Sequence, residues 1–347
     1  MSDTFAATLE RSSALADRLA DHPDDYRVLT GDRPTGALHL GHLFGSIRER
    51  VRLQNLGVET FVVIADYQVI TDRDAIGDVR THVLGAVLDY LAAGIDPART
   101  TVFAHSAVPA LNQLVLPFLS LVTEAELHRN PTVKAELADS NRALSGLLLT
   151  YPVHQAADIL FCKGNLVPVG KDNAPHVEQT RVIARRFNER YGAVFPVPEV
   201  LLTSVPELPG LDGRKMSKSY GNTIALGMTA DQTAAAIRKA RTDTDRRITF
   251  DPATRPGVSA LLTTAAVCSG TTPEALAEEL GDGGAGRLKQ LTTEAVNGFL
   301  AEHRRRRAEL KKDPGHVLSV LRTGNGTANA IGDATLDEVR AAMGTVY

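Results

Sequence analysis

Tyr26-Arg27-Val28-Leu29-Thr30 runs into Gly31-Asp32-Arg33-Pro34-Thr35-Gly36 and then into His39-Leu40-Gly41-His42. An apolar strand, a Gly/Pro-rich loop and a helix beginning near Leu38 stand in immediate succession. Such a unit is suited to a nucleotide phosphate. Glycines let backbone approach the ligand, and the helix N-terminus adds N–H donors and a positive dipole end. His39 and His42 are three positions apart, which at a helix start puts both imidazoles on one face. Gly41 removes a side chain where a phosphate or an adenine ring would approach. The same histidines could be an incidental pair or half of a zinc site, but no further ligand stands at a supporting spacing, so no metal site is expected.

Working outward, Thr60–Ala65 (Thr-Phe-Val-Val-Ile-Ala) is a continuous apolar run, as in a strand buried on both faces. Thr100–Ala104 repeats that character after a helical stretch from Asp78 to Ala93, and Leu166–Val169 is a further strand. Strands alternate with helices, so the expected fold is α/β: a Rossmann-like parallel sheet. Leu111–Leu149 reads as helical and is taken as an insertion at about 107–150. After Gly227 strand signals nearly vanish. Alanine-rich helices follow, broken at Asp251-Pro252, Arg255-Pro256-Gly257 and Gly281–Gly286. The organisation expected is an N-terminal extension over 1–25, containing a short amphipathic helix at Leu9–Leu19, an α/β domain over 26–224, and an all-helical domain over 225–347.

Composition bounds the rest. The chain has 347 residues, 43% hydrophobic and 23% charged, with a net charge of −3. It can bury a sizeable core, and nothing global advertises nucleic acid, so any such surface must be a local patch. Two cysteines, Cys162 and Cys268, form no Cys-x-x-Cys pair. No apolar run reaches membrane-spanning length, and the start of the chain is polar and acidic with no hydrophobic signal core. A cytoplasmic protein with no membrane partner is expected.

The second chemical segment is Lys215-Met216-Ser217-Lys218-Ser219, preceded by Gly210-Leu211-Asp212-Gly213-Arg214 and placed in a loop over 213–221. Two ammonium groups on a glycine-flanked loop can follow the β- and γ-phosphates as pyrophosphate separates. A solvated basic loop is the alternative. With the histidines, the chemistry implied is attack by a carboxylate on an α-phosphate. Positioning and charge stabilisation do the work, without a protein nucleophile.

Together the two segments resemble the paired ATP-binding signatures of class I aminoacyl-tRNA synthetases. From about Val28 to Gly344 the chain resembles the tryptophanyl-tRNA synthetase family. The most specific blocks are Leu148–Pro152 leading to Ala156–Leu160, and Val167–Asp172, with Thr242-Asp243, Pro256–Ser259 and Ala328-Asn329 downstream. The resemblance implies activation of L-tryptophan by ATP, with magnesium carried on the nucleotide, then transfer to tRNA(Trp). It also implies a homodimer, with the helical domain holding the anticodon region of the tRNA.

By position, the resemblance makes His39, His42, Lys215 and Lys218 catalytic. Arg33, Pro34, Thr35, Gly41, Gly170, Lys171, Asp172, Leu208, Met216, Ser217 and Ser219 would line the ATP site. Leu29, Gln68, Tyr151, Gln155, Asp158, Val167 and Asn173 would form the amino-acid pocket. Tyr151, Gln155 and Asp158 are four and three apart, on one face of a helix read as beginning near Pro152. Asp158 lies among apolar residues and needs a partner. Indole has one N–H donor and no acceptor, which a carboxylate fits. A nearby arginine is the alternative partner.

The chain departs from the common bacterial form, which has Thr-x-Gly-Asn at His39–His42, an apolar residue at Gln155, glutamine at Asn173 and often histidine at Gln68. These changes resemble the divergent second form of the enzyme. Lys134 is either a third pyrophosphate-side lysine or a surface residue. Arg304–Arg307 and the Arg181, Arg185, Arg186 cluster are either solvated, salt-bridged faces or phosphate contacts. Three other functions stay open at this point. The tyrosyl enzyme would want a first-strand tyrosine where Leu29 stands. A cofactor-adenylating nucleotidyltransferase would be shorter and lack the lysine loop. A non-charging paralogue would bind tryptophan or a partner protein without charging tRNA.

Overall fold

Strand β1 (Arg27–Asp32) stands at the centre of a five-stranded sheet with β2 (Glu59–Ile64), β3 (Thr100–Ala104), β4 (Leu166–Val169) and β5 (Glu199–Leu202). The order is β3-β2-β1-β4-β5, and every pairing is parallel. The computed structural model describes residues 12, 15–71, 78–131, 133–134, 144–170, 174–202 and 208–347. Of the helix expected over Leu9–Leu19, residues 12 and 15–19 are helical and the rest lie outside the described residues; the helix runs on to residue 21.

The expected Rossmann-like parallel sheet is present. Strand β2 is buried at every position after Glu59, as its unbroken apolar run requires. Side chains alternate across the sheet. Val62, Ile64, Val102 and Ala104 enter one core, and Leu29, Phe61, Val63 and Phe103 the other. Strand β5 was not expected. It is four residues long and follows Pro196-Val197-Pro198, a segment with turn rather than strand character.

Helix α1 starts at Leu40–His42, loosens into a π-type turn over Leu43–Ile47 and continues as Arg48–Leu56. Helix α2 (Val79–Ala93) is capped by Asp78, whose side chain accepts the Thr81 N–H. The insertion contains α3 (Pro109–Leu119) and α4 (Glu124–Arg129). Helix α5 (Gly146–Leu160) begins earlier than the expected start near Pro152. Ser145 caps it through the Leu148 N–H, and Pro152 sits inside. The proline misleads because it favours a first helical turn, whereas here it is buried within the helix and forgoes one backbone bond.

Helix α6 (Ala174–Tyr191) precedes β5, and five helices complete the chain: α7 (Ala230–Arg238), α8 (Pro256–Ser269), α9 (Pro273–Leu280), α10 (Gly284–Leu310) and α11 (Pro314–Met343). Helix α11 returns to the sheet and covers the β3 edge. A Cβ on Gly324 would lie 1.8 Å from the Val102 carbonyl oxygen, so only glycine permits this approach. Next to it, Asn325 Oδ1 accepts the Ala104 N–H at 2.9 Å. Asn329 Nδ2 donates to the Ala107 carbonyl at 2.7 Å. Backbone groups at an edge that would otherwise stand open are thereby paired.

The strand order reverses between β1 and β4. Connections leave these strands in opposite directions, so a crevice opens beyond their C-terminal ends. The loop after β1 carries Arg33–Gly36 and the histidines; the segment after β4 begins at Gly170. The fold therefore brings both blocks to one place. Among the described residues no helix is long and apolar enough to cross a membrane.

Candidate active site

Helix α1 begins where the β1 loop ends, and a later segment fastens it there. The Leu40 N–H donates to the Ile224 carbonyl at 3.0 Å, and the Leu226 N–H to the Leu38 carbonyl at 2.9 Å. Residues just beyond the lysine loop thus pair with the backbone on both sides of His39. The space a Cβ on Gly41 would take is bounded by the His39 ring at 3.0 Å and Met216 Sδ at 3.5 Å. Lys218 Nζ donates to the Gly36 carbonyl at 3.0 Å and lies 3.5 Å from Thr35 Oγ1. Gly36 has φ +151°, and a Cβ there would meet Lys218 Cδ at 3.1 Å. Two segments far apart in sequence form one surface.

The histidines lie with ring centroids 3.9 Å apart. The His39 backbone N–H donates to His42 Nδ1 at 3.2 Å. That nitrogen is an acceptor, so a neutral His42 carries its proton on Nε2 and can donate from there. Burial first, then the charges of His42 and Lys218, push His39 down to about 3. Burial also lowers His42; Asp32 opposes this, while Lys218 and Arg50 add to it. Both rings are neutral N–H donors at physiological pH.

Beneath them lies a network absent from the sequence-based site. Asp32 Oδ2 accepts from Arg50 Nη1 at 2.6 Å and from Tyr90 OH at 2.5 Å. Arg50 also donates to Thr30 Oγ1 at 3.1 Å and to the Gly31 carbonyl at 3.2 Å. Its side chain is 1% exposed. Burial opposes ionisation of Asp32, but Arg50, His42 and the two hydrogen bonds outweigh it and hold the carboxyl well below the usual range. The end of β1 is therefore fixed by a buried ion pair.

The lysine loop has its own tie. Asn222 Oδ1 accepts the Ser217 N–H at 2.9 Å. Its Nδ2 donates to Asp212 Oδ1 at 2.7 Å and to the Lys215 carbonyl at 3.0 Å. Lys215 itself is exposed, Met216 is buried, and Lys218 opens a short 3-10 turn, Lys218–Tyr220. Leu208 is buried in the same apolar cluster as Leu38, Leu40 and Met216. Pro34 is buried and Arg33 exposed at the mouth. Gly170 follows β4, and Lys171, Asp172 and Asn173 lie outside the described residues.

On the other side of the sheet, α5 carries Tyr151, Gln155 and Asp158. Asp158 is 4% exposed. Its partner is a histidine, not the arginine weighed as an alternative: Oδ1 lies 2.7 Å from His105 Nδ1. Gln68 Nε2 donates to Asp158 Oδ2 at 3.3 Å. Tyr151 OH lies 3.2 Å from His176 Nε2. Leu29 and Val167 are buried in the apolar cluster that includes Val153 and Ala157 of α5. His105 escaped the sequence reading, although its place directly after β3, at a strand's C-terminal end, was a usable signal.

Most arginines of the basic clusters meet carboxylates, and Arg304 meets neutral acceptors. Arg304 donates to the Met228 carbonyl at 2.9 Å, Asn297 Oδ1 at 2.8 Å and Thr233 Oγ1 at 2.8 Å. Arg307 Nε is 2.6 Å from Asp89 Oδ1. Arg305 and Arg306 both pair with Glu302 at 2.7 Å. Arg181 and Arg185 meet Glu178, and Arg186 meets Glu126. Lys134 is exposed. Among the described residues no group of three or more His, Cys, Asp or Glu could hold a metal ion.

A parallel sheet with paired histidine and lysine segments across its crevice defines a class: the family model described as tRNA synthetases class I (W and Y) matches residues 22–301. The tryptophan–tRNA ligase of Clostridium longisporum is 40% identical over 331 residues, covering 92% of this chain and 97% of its own. That of Treponema pallidum is 41% identical over 327 residues, covering 92% and 96%. The crystal structure of Campylobacter jejuni tryptophanyl-tRNA synthetase complexed with ADP and tryptophan superposes with a TM-score of 0.78 at 31% identity, covering 92% of this chain and 99% of that one. The chain belongs to the tryptophanyl-tRNA synthetase family of class I.

Proposed function

We propose that this protein activates L-tryptophan with ATP and transfers it to tRNA(Trp). A carboxylate oxygen of tryptophan attacks the α-phosphorus, the bond to the β-phosphate breaks, and pyrophosphate leaves. The tRNA terminal hydroxyl then displaces AMP. The observation that carries this reading is the junction of Lys218 with the Thr35-Gly36 loop beside His39 and His42. Neutral imidazoles supply N–H donors for the α-phosphate without repelling the lysines, and Lys215 and Lys218 follow the departing charge. Magnesium enters as part of the nucleotide, held chiefly by phosphate oxygens and water.

Arg33, Pro34, Thr35, Gly41, Gly170, Lys171, Asp172, Leu208, Met216, Ser217 and Ser219 are assigned to the nucleotide. Leu29, Gln68, Tyr151, Gln155, Val167 and Asn173 are assigned with Asp158 to the amino acid. Asp158, an ionised acceptor in apolar surroundings, matches the single N–H of indole. The helical region 225–347 is assigned to tRNA, and a cytoplasmic homodimer is the working form. We also read Gln68 and Gln155 as marks of the divergent second form, weakening tryptophan-mimicking inhibitors; unchanged inhibitor affinity in Gln68→His would remove that role.

The test is ATP–pyrophosphate exchange with tryptophan and with tyrosine, for wild type and Asp158→Ala. Exchange with tryptophan alone, lost in the variant, is the expected result. Exchange with tyrosine would move the chain to the tyrosyl enzyme. No exchange with either, from a protein that still binds ATP, would make it a non-charging paralogue.

A further inference from the structure

Three elements converge on His105. Helix α5 brings Asp158 and His154, α3 brings Asn112, and the segment after β2 brings Asp66, Tyr67 and Gln68. The His105–Asp158 contact of 2.7 Å is closed to solvent, with side chains 0% and 6% exposed. The second ring nitrogen, Nε2, faces Asn112 Oδ1 at 3.4 Å. An acceptor oxygen stands opposite each ring nitrogen, an arrangement that favours the ring protonated at both.

The surrounding charges agree. Burial opposes the cation, but Asp158, the hydrogen bonds to Asp158 and Asn112, and Asp66 outweigh it. The ring titrates above its ordinary value of 6.5. His154 goes the other way: burial and the charge of His105 lower it, with Asp158 opposing. Gln68 Nε2 donates to Asp158 Oδ2 at 3.3 Å and stands 3.2 Å from His105 Nδ1, to which it does not donate when that nitrogen is protonated. Asp66 is fastened to the same corner by accepting the Ser106 N–H at 2.9 Å.

We propose that His105 is a positioning residue for amino-acid selection: as an imidazolium it keeps the Asp158 carboxylate ionised and fixed, an acceptor-only floor for the ligand's ring N–H. This rests on the reading that the pocket takes tryptophan. The argument is one of protonation. A buried carboxyl without a cation takes up a proton more readily. A protonated carboxyl presents an O–H donor, which opposes indole, a donor with no acceptor. His105 removes that competing state.

The experiment is equilibrium dialysis of labelled tryptophan against wild type, His105→Gln and His105→Ala from about pH 5.5 to about pH 8.5, with ATP binding measured on the same samples. Wild type should hold a flat tryptophan Kd on the acid side. In both variants Kd should rise as the pH falls. It should recover at alkaline pH, while ATP affinity stays unchanged. Flat, wild-type affinity in both variants overturns the proposal. So does a fall in tryptophan and ATP affinity together at every pH, which is damage to the fold. Wild type that binds ATP but no tryptophan at any pH removes the substrate reading and this inference with it. In wild type itself, the His105 ring followed by NMR should titrate above 6.5; titration at or below that value also overturns the proposal.

Discussion

Lys218 Nζ donates to the carbonyl oxygen of Gly36 at 3.0 Å, a bond between residues 182 positions apart. The fold itself holds this ammonium against the Thr35-Gly36 loop, where in the proposed reaction a phosphate oxygen would take the place of the carbonyl. Burial lowers the lysine's pKa, Asp32 opposes, and Arg33 adds to the lowering. Lys218→Ala should reduce the rate of tryptophan-dependent pyrophosphate exchange by about 10²–10³-fold, the scale of one lost charge-stabilising donor. Lys218→Arg should recover part of it, and tryptophan affinity should not change. Exchange within a few-fold of wild type in Lys218→Ala would show that the lysine acts elsewhere.

Asn222 is 4% exposed and joins Ser217, Asp212 and Lys215 across the lysine loop. No other side chain of its size both accepts and donates twice in this geometry. Asn222→Ala leaves the Ser217 N–H and the Lys215 carbonyl without their partner, at a cost of about 1–3 kcal/mol. The expected outcome is a raised KM for ATP, an unchanged KM for tryptophan, and faster proteolysis within residues 213–221. Equal changes in both KM values would mean that the loop is held by other contacts.

The site was legible where chemistry follows sequence order and illegible where the fold makes a pair. His39, His42, Lys215 and Lys218 could be singled out as candidates because each motif is a short run with glycines in or beside it, and the fold brings the two runs together. The three-position spacing of the histidines appears directly as a ring contact. Strands β2 and β3 announced themselves by unbroken apolar runs, and β5 did not, being four residues after a Pro-Val-Pro turn. His105 with Asp158, and Asp32 with Arg50, are separated by whole elements. Nothing local to either residue marks its partner. The arginine run left two readings open, and the helix divides it: Arg304 and Arg307 turn inward while Arg305 and Arg306 stay out.

The Arg50–Asp32 pair offers a stability test with a defined sign. Removing one member of a buried pair strands the other, at about 3–5 kcal/mol. Arg50→Met should therefore lower Tm sharply, and Arg50→Met with Asp32→Asn should recover part of the loss. The folded carboxyl lies below its unfolded value of 3.8. Its contribution is thus complete above that value and is lost only as pH falls below it. Denaturation midpoints should show no dependence on this pair through neutral pH. A wild-type stability that already declines between about pH 7 and about pH 5 through Asp32, absent in the double variant, would contradict the ion pair.

Arg307 reaches from α10 to Asp89 of α2, where His303 Nε2 stands 3.5 Å from the same oxygen. Asp89 is 2% exposed, and Arg307 is the guanidinium paired with it. The arginine stem and guanidinium also fill the space beside Gly227, where a Cβ would meet Arg307 Cζ at 3.1 Å. Arg307→Met leaves a buried carboxylate facing only a histidine and should cost about 3–5 kcal/mol. Asp89→Asn in the same chain should restore part of it, because the neutral amide no longer needs a cation. Arg305→Ala and Arg306→Ala remove partners of the exposed Glu302 and should leave Tm unchanged. If tRNA affinity falls in Arg305→Ala and Arg306→Ala with Tm intact, and the salt dependence of binding weakens with it, the outward pair carries phosphate contacts and the inward pair carries the fold. Loss of tRNA affinity only in variants that also unfold would leave the run a structural strap between α10 and the α/β domain.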